Sequence, residues 1–572
     1  GQKFNNLDLD LIPGDLVLTE RPLVFGPKAM MNAEAIMPCV GCYKPVSTDV
    51  GERCSKHDAL LPLRCILLQT VDLEKWNKLS EMQSHMECRL PGTDAYDEAE
   101  EFIVGYLMNE FIGKLNKDVR DKYLPEISPN LIHRMCGIID TNALEIRLPG
   151  GAELLALYTN TCIMEHSCIP NTKHTFNHSP KDKNDLFKIT LKVVVPVLKD
   201  EHITTMYSHA LWGTQARRQH LKDSKYFACK CPRCSDPTEL GTYLSAMKCL
   251  GDGTKPCNGI HLPEDPLDED TDWACNKCSV KVNNSQVNMI ISQMGDEVDN
   301  VQMVGGSVIN LENLLCRLST FLHPNHYHLY SIKHSLVQLY GRQPSYMTQE
   351  ILEKKIIMCK DLIKITKILD PGNARLSLYY AVLQHELHSA LLLKAQKVNT
   401  KGVPKTNEEI KPLLAEAKAA IEDALNSLKD DMEETSGIKL YAVIEDSKRN
   451  FENYCKQKNF NYLDVLRKLL IKHKIMYYIF ILGSIGLMLK YPAMREFSFQ
   501  LKLGYQLKPD LGLSLAILST IQSVYLDILT TPTTIARPSS AWIISGPPLS
   551  ACKMILIKQV IFFLLRCIFS FL

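Results

Sequence analysis

The sequence predicts an α+β fold spread over several domains, and three observations carry that expectation. Short apolar and polar residues alternate near the N-terminus and again around residue 190, cysteine pairs interrupt the strand texture, and from about Ser307 onward the pattern is helical. At 572 residues the chain has room for roughly three or four domains of ~100–200 residues each. A composition of 45% hydrophobic and 23% charged residues excludes fibrous, collagenous and wholly disordered classes. Lys and Arg total 65 against 64 Asp and Glu, so no global field draws the chain to nucleic acid or to an anionic membrane.

Leu16 to Glu20 alternates after the Pro13-Gly14-Asp15 turn and stops at Arg21-Pro22, as an edge strand does. Between about Asp97 and Leu115, Phe102, Ile103, Tyr106, Leu107 and Phe111 recur at helical spacing. Phe187 to Val195 reads as a half-buried strand, and the turn through Pro196 and Lys199-Asp200 leads to a second strand, His202 to Tyr207. Ile351 to Leu369 forms a helix ended by Asp370-Pro371-Gly372, and Ala374 to Ala395 forms the next. Such pairs suggest a repeat-like helical domain, although no clean period of about 34 residues is present.

Past about Leu470 the composition turns apolar, in Ile475–Leu489, Leu511–Leu529 and Met554–Leu572. A spanning helix needs ~20 predominantly apolar residues; the first run is short and the last carries Lys558 and Arg566. A membrane anchor, a buried helix and a tail outside the working protein all stay open.

Twenty cysteines are many for a reducing compartment, yet Gly1 to Asp10 has no apolar core of the kind a secretory leader needs. Grouped cysteines then point to zinc in preference to disulfides. Cys229, Cys231 and Cys234 offer three thiols, and a closed zinc site takes four ligands. Cys168 is the best candidate for the fourth, the other reading being a buried free thiol. Cys249, Cys257, Cys275 and Cys278, with Trp273 beside them, have the count for a zinc of their own. Cys39, Cys42, Cys54 and His57 form a weaker third set, and Cys65 belongs to an apolar run.

The ordered motifs His166-Ser167-Cys168-Ile169-Pro170-Asn171, Ile203-Thr204-Thr205-Met206-Tyr207, Arg217-Arg218 and Phe227-Ala228-Cys229-Lys230-Cys231-Pro232-Arg233-Cys234 resemble the SET and post-SET regions of the SET-and-MYND protein lysine methyltransferases. The insect branch, including Msta-like proteins, looks closest. Pro13-Gly14-Asp15, Glu20-Arg21-Pro22, Cys39-Val40-Gly41-Cys42, Pro62-Leu63-Arg64-Cys65, Cys136-Gly137-Ile138 and Leu322-His323-Pro324-Asn325-His326-Tyr327 extend the likeness over roughly residues 8–395.

The resemblance implies a β-rich, knotted SET domain split by a reduced MYND finger and a helical insert, a zinc-stapled post-SET lobe and a helical, TPR-like C-terminal domain. On this reading the N-terminal SET segment is 1–38, the finger 39–64, the insert 65–132, the SET core 133–225, the post-SET lobe 226–282 and the helical domain 290–470, with an atypical tail at 471–572. It further implies methyl transfer from S-adenosylmethionine to a lysine of a histone or another protein, by a monomer in the cytoplasm or nucleus, without direct nucleic-acid binding and without a membrane unless the tail anchors it. Tyr207 matches the catalytic tyrosine; Asn142, Glu165, His166 and Phe227 match cofactor positions; Cys168 matches the fourth post-SET zinc ligand.

Four departures accompany the match. Gly1 to Leu9 lacks the second glycine of a Gly-x-Gly loop, Glu165 replaces an asparagine, Lys225 stands where some relatives place an aromatic residue, and the finger is short of about half its ligands. They support the alternative of a SET-like scaffold without catalysis that binds partner proteins or serves as a transcriptional co-regulator. His385-Glu386-Leu387-His388 has its histidines three apart and reads as solvent-facing helix instead of a metalloprotease motif.

Overall fold

The computed structural model describes residues 10–28, 37–38, 45–46, 55–148, 152–303, 305–340, 348–396, 407–429 and 435–457. The chain divides into two compact units, Gly1–Lys472 and His473–Leu572, and all the described residues lie in the first. The three apolar tail runs therefore fall outside the described residues. Among the described residues no helix is long and apolar enough to cross a membrane.

The β core is built from small sheets. Strand β1 (Leu16–Glu20) and strand β2 (Val24–Pro27) are followed by a two-residue antiparallel pair, Met37–Pro38 with Pro45–Val46, and then by a helical stretch with α1 (Leu60–Val71), α2 (Leu73–Ser80) and α3 (Pro129–Asn142). Then come β3 (Leu144–Arg147), β4 (Glu153–Leu157), β5 (Glu165–His166), β6 (Thr172–Phe176), β7 (Ile189–Val193) and β8 (Thr204–Thr205). One antiparallel sheet runs β1-β7-β6, a second runs β2-β4-β3, and β5 and β8 pair in parallel. On β7 the alternation works as expected: Ile189, Leu191 and Val193 are buried while Thr190 and Lys192 are half-buried. Burying each such aliphatic side chain contributes about 1.5–3 kcal/mol.

The strand is shorter than its sequence pattern. Phe187 takes a left-handed conformation, φ 57°, so pairing begins two residues later, although its buried ring still packs edge-on against Phe25 with centroids 5.0 Å apart. At the other end the Val194 N–H donates to the Asn171 carbonyl, and the strand stops at Val193. The second strand shrinks to Thr204–Thr205 because its partner β5 is two residues long. The Asn171 side chain substitutes for further strand, accepting from the Thr204 N–H at 2.7 Å and donating to the His202 carbonyl at 2.7 Å. The helix expected at 97–115 is present but opens into wide π turns over Glu100–Val104 and Tyr106–Phe111, with Ile103, Val104, Leu107 and Ile112 buried.

Helix α4 (Thr214–Lys225) leads to a four-stranded antiparallel lobe of β9 (Met247–Lys248), β10 (Ile260–Pro263), β11 (Trp273–Cys275) and β12 (Lys281–Val282). Helices α5 (Asn284–Met303), α6 (Val308–Leu318), α7 (Tyr327–Leu339), α8 (Gln349–Leu369), α9 (Ser377–Gln396), α10 (Asn407–Ser427) and α11 (Thr435–Gln457) complete the unit. Helix α9 starts three residues later than its sequence pattern. The Asp370 carboxylate accepts the N–H groups of Ala374, Arg375 and Leu376 at 2.6–2.9 Å and holds them outside the helix. The same turn comes against the end of β7: a β-carbon on Gly372 would lie 2.8 Å from Val194 Cβ and 2.9 Å from its carbonyl oxygen.

The reading of His385-Glu386-Leu387-His388 as solvent-facing is corrected by the packing. His388 is buried and pairs with the Ala417 carbonyl at 2.8 Å, Glu386 pairs with the buried Lys355 at 2.5 Å, and His385 meets Ser447 Oγ at 2.8 Å. The three side chains diverge into helix contacts. A carbonyl only accepts, so the His388 proton sits on Nδ1, and burial pushes its pKa down to about 4. The unfolded histidine titrates near 6.5, so the unfolded chain takes up the proton first. The stability from the neutral buried ring is complete above pH ~6.5 and is lost as pH falls toward 4, by about 3 kcal/mol at most. Urea midpoints at pH 7 and pH 4.5 should show that loss reduced in His388→Asn, which keeps a donor near Nδ1 without the charge.

Candidate active site

Four thiols from two distant segments meet in one place. Cys168 comes from the turn after β5, and Cys229, Cys231 and Cys234 come from the segment after α4; their four Sγ atoms lie within 4.8 Å of one another. Cys168 Sγ and Cys234 Sγ are 3.6 Å apart. Zinc bound tetrahedrally at ~2.3 Å per sulfur sets the sulfurs about 3.8 Å apart, so the cage has the dimensions zinc requires. Cys168 is thus no isolated core thiol. Hydrogen bonds from Cys229, Cys231, Cys234 and His166 hold it far below the ordinary thiol range against the effect of burial.

The surroundings compensate the negative charge of such a cage. Arg217, fully buried, donates from Nε to Cys168 Sγ at 3.3 Å and from a terminal nitrogen to Cys234 Sγ at 3.5 Å. It also pairs with the buried Glu239 at 2.7 Å, and Glu239 pairs with the buried Arg233 at 3.1 Å. Arg218 ties α4 to the same segment by donating to the Cys229 carbonyl at 2.6 Å and the Leu267 carbonyl at 2.7 Å. The Arg217-Arg218 pair read from the sequence is therefore scaffolding for the thiol cluster.

The second set also converges. The Sγ atoms of Cys249, Cys257, Cys275 and Cys278 lie within 4.8 Å, with Cys249 and Cys278 3.6 Å apart and Cys257 and Cys275 3.7 Å apart. The N–H groups of Gly251, Gly259 and Lys277 donate to three of these sulfurs at 3.3–3.4 Å. Closed four-sulfur sites leave no open position, so both clusters suit structural zinc. Of the third set, Cys39, Cys42 and Cys54 lie outside the described residues. His57 is half-buried, its Nδ1 buried without a hydrogen-bond partner.

Tyr207 stands beside the first cluster and is held at both ends. Its backbone N–H donates to His166 Nδ1 at 2.9 Å. A backbone amide cannot accept through its nitrogen, so Nδ1 is bare and the ring proton sits on Nε2, which faces Cys168 Sγ at 3.3 Å. One imidazole thus connects a cluster thiol to the backbone of the tyrosine. At the other end the Tyr207 hydroxyl donates to the Met164 carbonyl. Burial, with Cys162 and Glu165 nearby, pushes the phenol up to about 12 and keeps it neutral at physiological pH.

Phe227 completes the group. Helix α4 ends with Tyr226 in a left-handed conformation, φ 58°, which turns the chain so that the Phe227 ring lies 5.8 Å from that of His166; the Tyr207 ring is 5.4 Å from it on the other pairing. Ser208 Oγ, next to Tyr207 in the chain, and Thr141 Oγ1, next to Asn142, are buried with no hydrogen-bond partner. Unpaired buried polar atoms cost about 1–3 kcal/mol each.

No family model matches the chain. The SET domain-containing protein SmydA-8, isoform A, of Drosophila melanogaster is 28% identical over 304 residues, covering 47% of this chain and 61% of that protein. A SET and MYND domain-containing protein of Dictyostelium discoideum is 32% identical over 116 residues, covering 19% of this chain and 25% of that protein. Histone-lysine N-methyltransferase ASHR1 of Arabidopsis thaliana is 22% identical over 330 residues, covering 50% of this chain and 63% of that one. The chain spans less than two thirds of the length of these curated relatives. The crystal structure of the SET domain of LSMT bound to lysine and AdoHcy covers 81% of this chain and 90% of that one at 11% identity, with a TM-score of 0.24, too low to establish a shared fold.

Two departures named from the sequence, Glu165 and Lys225, and one matched position, Asn142, have defined partners. Glu165 pairs with His202 at 2.6 Å, so its charge is engaged by an imidazole. The Lys225 ammonium donates to the Asp140 and Thr141 carbonyls at 2.8 Å, capping the end of α3, and burial pushes its pKa down. Asn142 donates to the Gln83 and Ile138 carbonyls at 2.8 Å each. The loop at 83–85 reaches α3 because Gly137 has no side chain; a β-carbon there would lie 2.3 Å from the Ser84 oxygen. That loop brings the His85 ring to 4.7 Å from Tyr226, a neighbour of the site that no sequence signal indicated.

Proposed function

We propose that this chain is a protein-lysine N-methyltransferase of the SET-and-MYND type that takes its methyl group from S-adenosylmethionine and passes it to a lysine of a histone or another protein. The observation that carries the reading is Tyr207, fixed at its backbone by His166 and at its hydroxyl by Met164, with the Phe227 ring 5.8 Å from the same imidazole. Relatives whose names state histone-lysine N-methyltransferase and N-lysine methyltransferase activity support it.

S-adenosylmethionine supplies an electrophilic methyl group on a sulfonium. The nitrogen–carbon bond forms as the sulfur–carbon bond breaks, and the products are methyl-lysine, S-adenosylhomocysteine and a proton. The chain's residues prepare the nucleophile. Around Tyr207 the buried surroundings disfavour a charged ammonium, so the incoming lysine is held neutral. With its proton committed to Met164, the phenol oxygen presents lone pairs that accept from the amine and aim the nitrogen. On this reading Phe227 offers an aromatic face for the adenine, and Asn142, Glu165 and His166 are assigned to the cofactor on the family resemblance. Zinc held by the two thiol clusters stiffens the site and takes no part in the reaction.

The wider reading is a knotted SET core split by a MYND finger at 39–64, with the insert, post-SET lobe and helical domain bounded as the sequence suggests, in a monomer of the cytoplasm or nucleus. The engaged amide of Asn142 and the cap made by Lys225 favour a second reading, a SET-like scaffold without catalysis. Calorimetry with S-adenosylmethionine on the full chain separates the two. Binding is expected, weakened about two- to tenfold in Phe227→Ala with zinc content unchanged; absence of binding at millimolar cofactor rejects the enzyme.

A further inference from the structure

We infer that Glu20 is a positioning residue for Tyr207; the inference rests on the methyl-transfer reading above and deepens it. Glu20 is the last residue of β1, paired in register with Ile189, so its backbone is fixed by the sheet. Its carboxylate crosses to a segment 140 residues away. One oxygen accepts the Asn160 N–H at 2.9 Å and the Asn160 side-chain amide at 3.4 Å. The other accepts the Thr161 N–H at 3.1 Å and the Thr161 hydroxyl at 3.0 Å. These four donors open the single 3₁₀ turn Thr161–Ile163, where the first N–H groups have no partner within the turn.

The turn ends on the carbonyl that receives Tyr207. The Met164 N–H donates back to Thr161 at 3.3 Å, and the Met164 carbonyl accepts the Tyr207 hydroxyl. Cys162, between the two, donates its own S–H to the Thr159 carbonyl at 3.3 Å. A carboxylate accepting several N–H and O–H groups makes stronger bonds than a neutral acceptor, so Glu20 sets where this short turn sits. The hydroxyl of Tyr207 therefore takes its position from the end of β1, while its backbone takes its position from the thiol cluster.

The test places a single 3-fluorotyrosine at position 207 of the full chain and reads its fluorine resonance, with methyl transfer and cofactor binding measured alongside. Wild type and the surface control Arg21→Ala are expected to give one narrow resonance. Glu20→Gln should shift or split it, with kcat lowered about ten- to a hundredfold while the cofactor Kd and peptide KM stay within about twofold. Thr161→Val, which removes one of the four donors, serves if Glu20→Gln fails to fold, and should give a smaller shift in the same direction. An unchanged resonance in the folded variants, or a loss of cofactor affinity equal to the loss of kcat, overturns the inference. If wild type binds no cofactor, the methyltransferase reading falls, and the fluorine resonance still decides whether Glu20 positions Tyr207.

Discussion

Cys168→Ser is expected to lower bound zinc by one ion per chain and to abolish cooperative folding of the segments around residues 165–171 and 226–246. Metal analysis reads the first effect and hydrogen exchange the second. Structural zinc contributes about 10–16 kcal/mol in small metal-folded domains at neutral pH, more than the ~5–15 kcal/mol by which a typical domain is stable. Serine also weakens one acceptor that serves two donors, because Cys168 Sγ receives both His166 Nε2 and Arg217 Nε at 3.3 Å. The loss should therefore reach Tyr207 through the imidazole. Cys278→Ser provides the contrast: it should also cost one zinc ion, and it should loosen β9 to β12, while His166 and Tyr207 keep their exchange protection. Equal damage to Tyr207 in both variants would refute the link through His166.

Glu239→Leu is expected to destabilise the chain by about 3–5 kcal/mol, measured as a fall in the urea midpoint. Arg217, Arg233 and Glu239 are all buried, and one carboxylate serves both guanidiniums. Burial alone would raise the Glu239 carboxyl, but Arg217 and Arg233 outweigh it and hold it below the usual carboxylate range. Leucine would leave two desolvated cations with one acceptor fewer each. Burial and the like charge of Arg217 already push Arg233 down to about 10, so Arg233 is the cation that depends most on the Glu239 carboxylate. Glu239→Gln, which can still accept from one guanidinium and from Ser245, should cost less than half as much. A neutral outcome for Glu239→Leu would mean that the thiol cluster alone balances both arginines.

Much of the site could be read from the sequence because its chemistry is local. Cys229, Cys231 and Cys234 fall within six residues, and a four-ligand rule asks for one more, which Cys168 supplies. The alternation on β7 likewise marked its buried face. What escaped were features set by partners far away in the chain. The length of β8 depends on β5 and on the Asn171 side chain; the burial of His388 depends on α10; the role of Glu20 depends on a turn 140 residues on. Phe187 could not be seen to leave the strand, because a buried aromatic with positive φ has the same periodicity as a paired one.

The close approach of Gly372 to Val194 has a consequence for how this molecule can vary over evolutionary time. A joint with no room for a methyl group admits neither a longer connector between α8 and α9 nor a bulkier residue at the end of β7 unless both change together. Lineages of this protein should accordingly keep both positions small, or trade volume between them, while surface loops elsewhere drift in length.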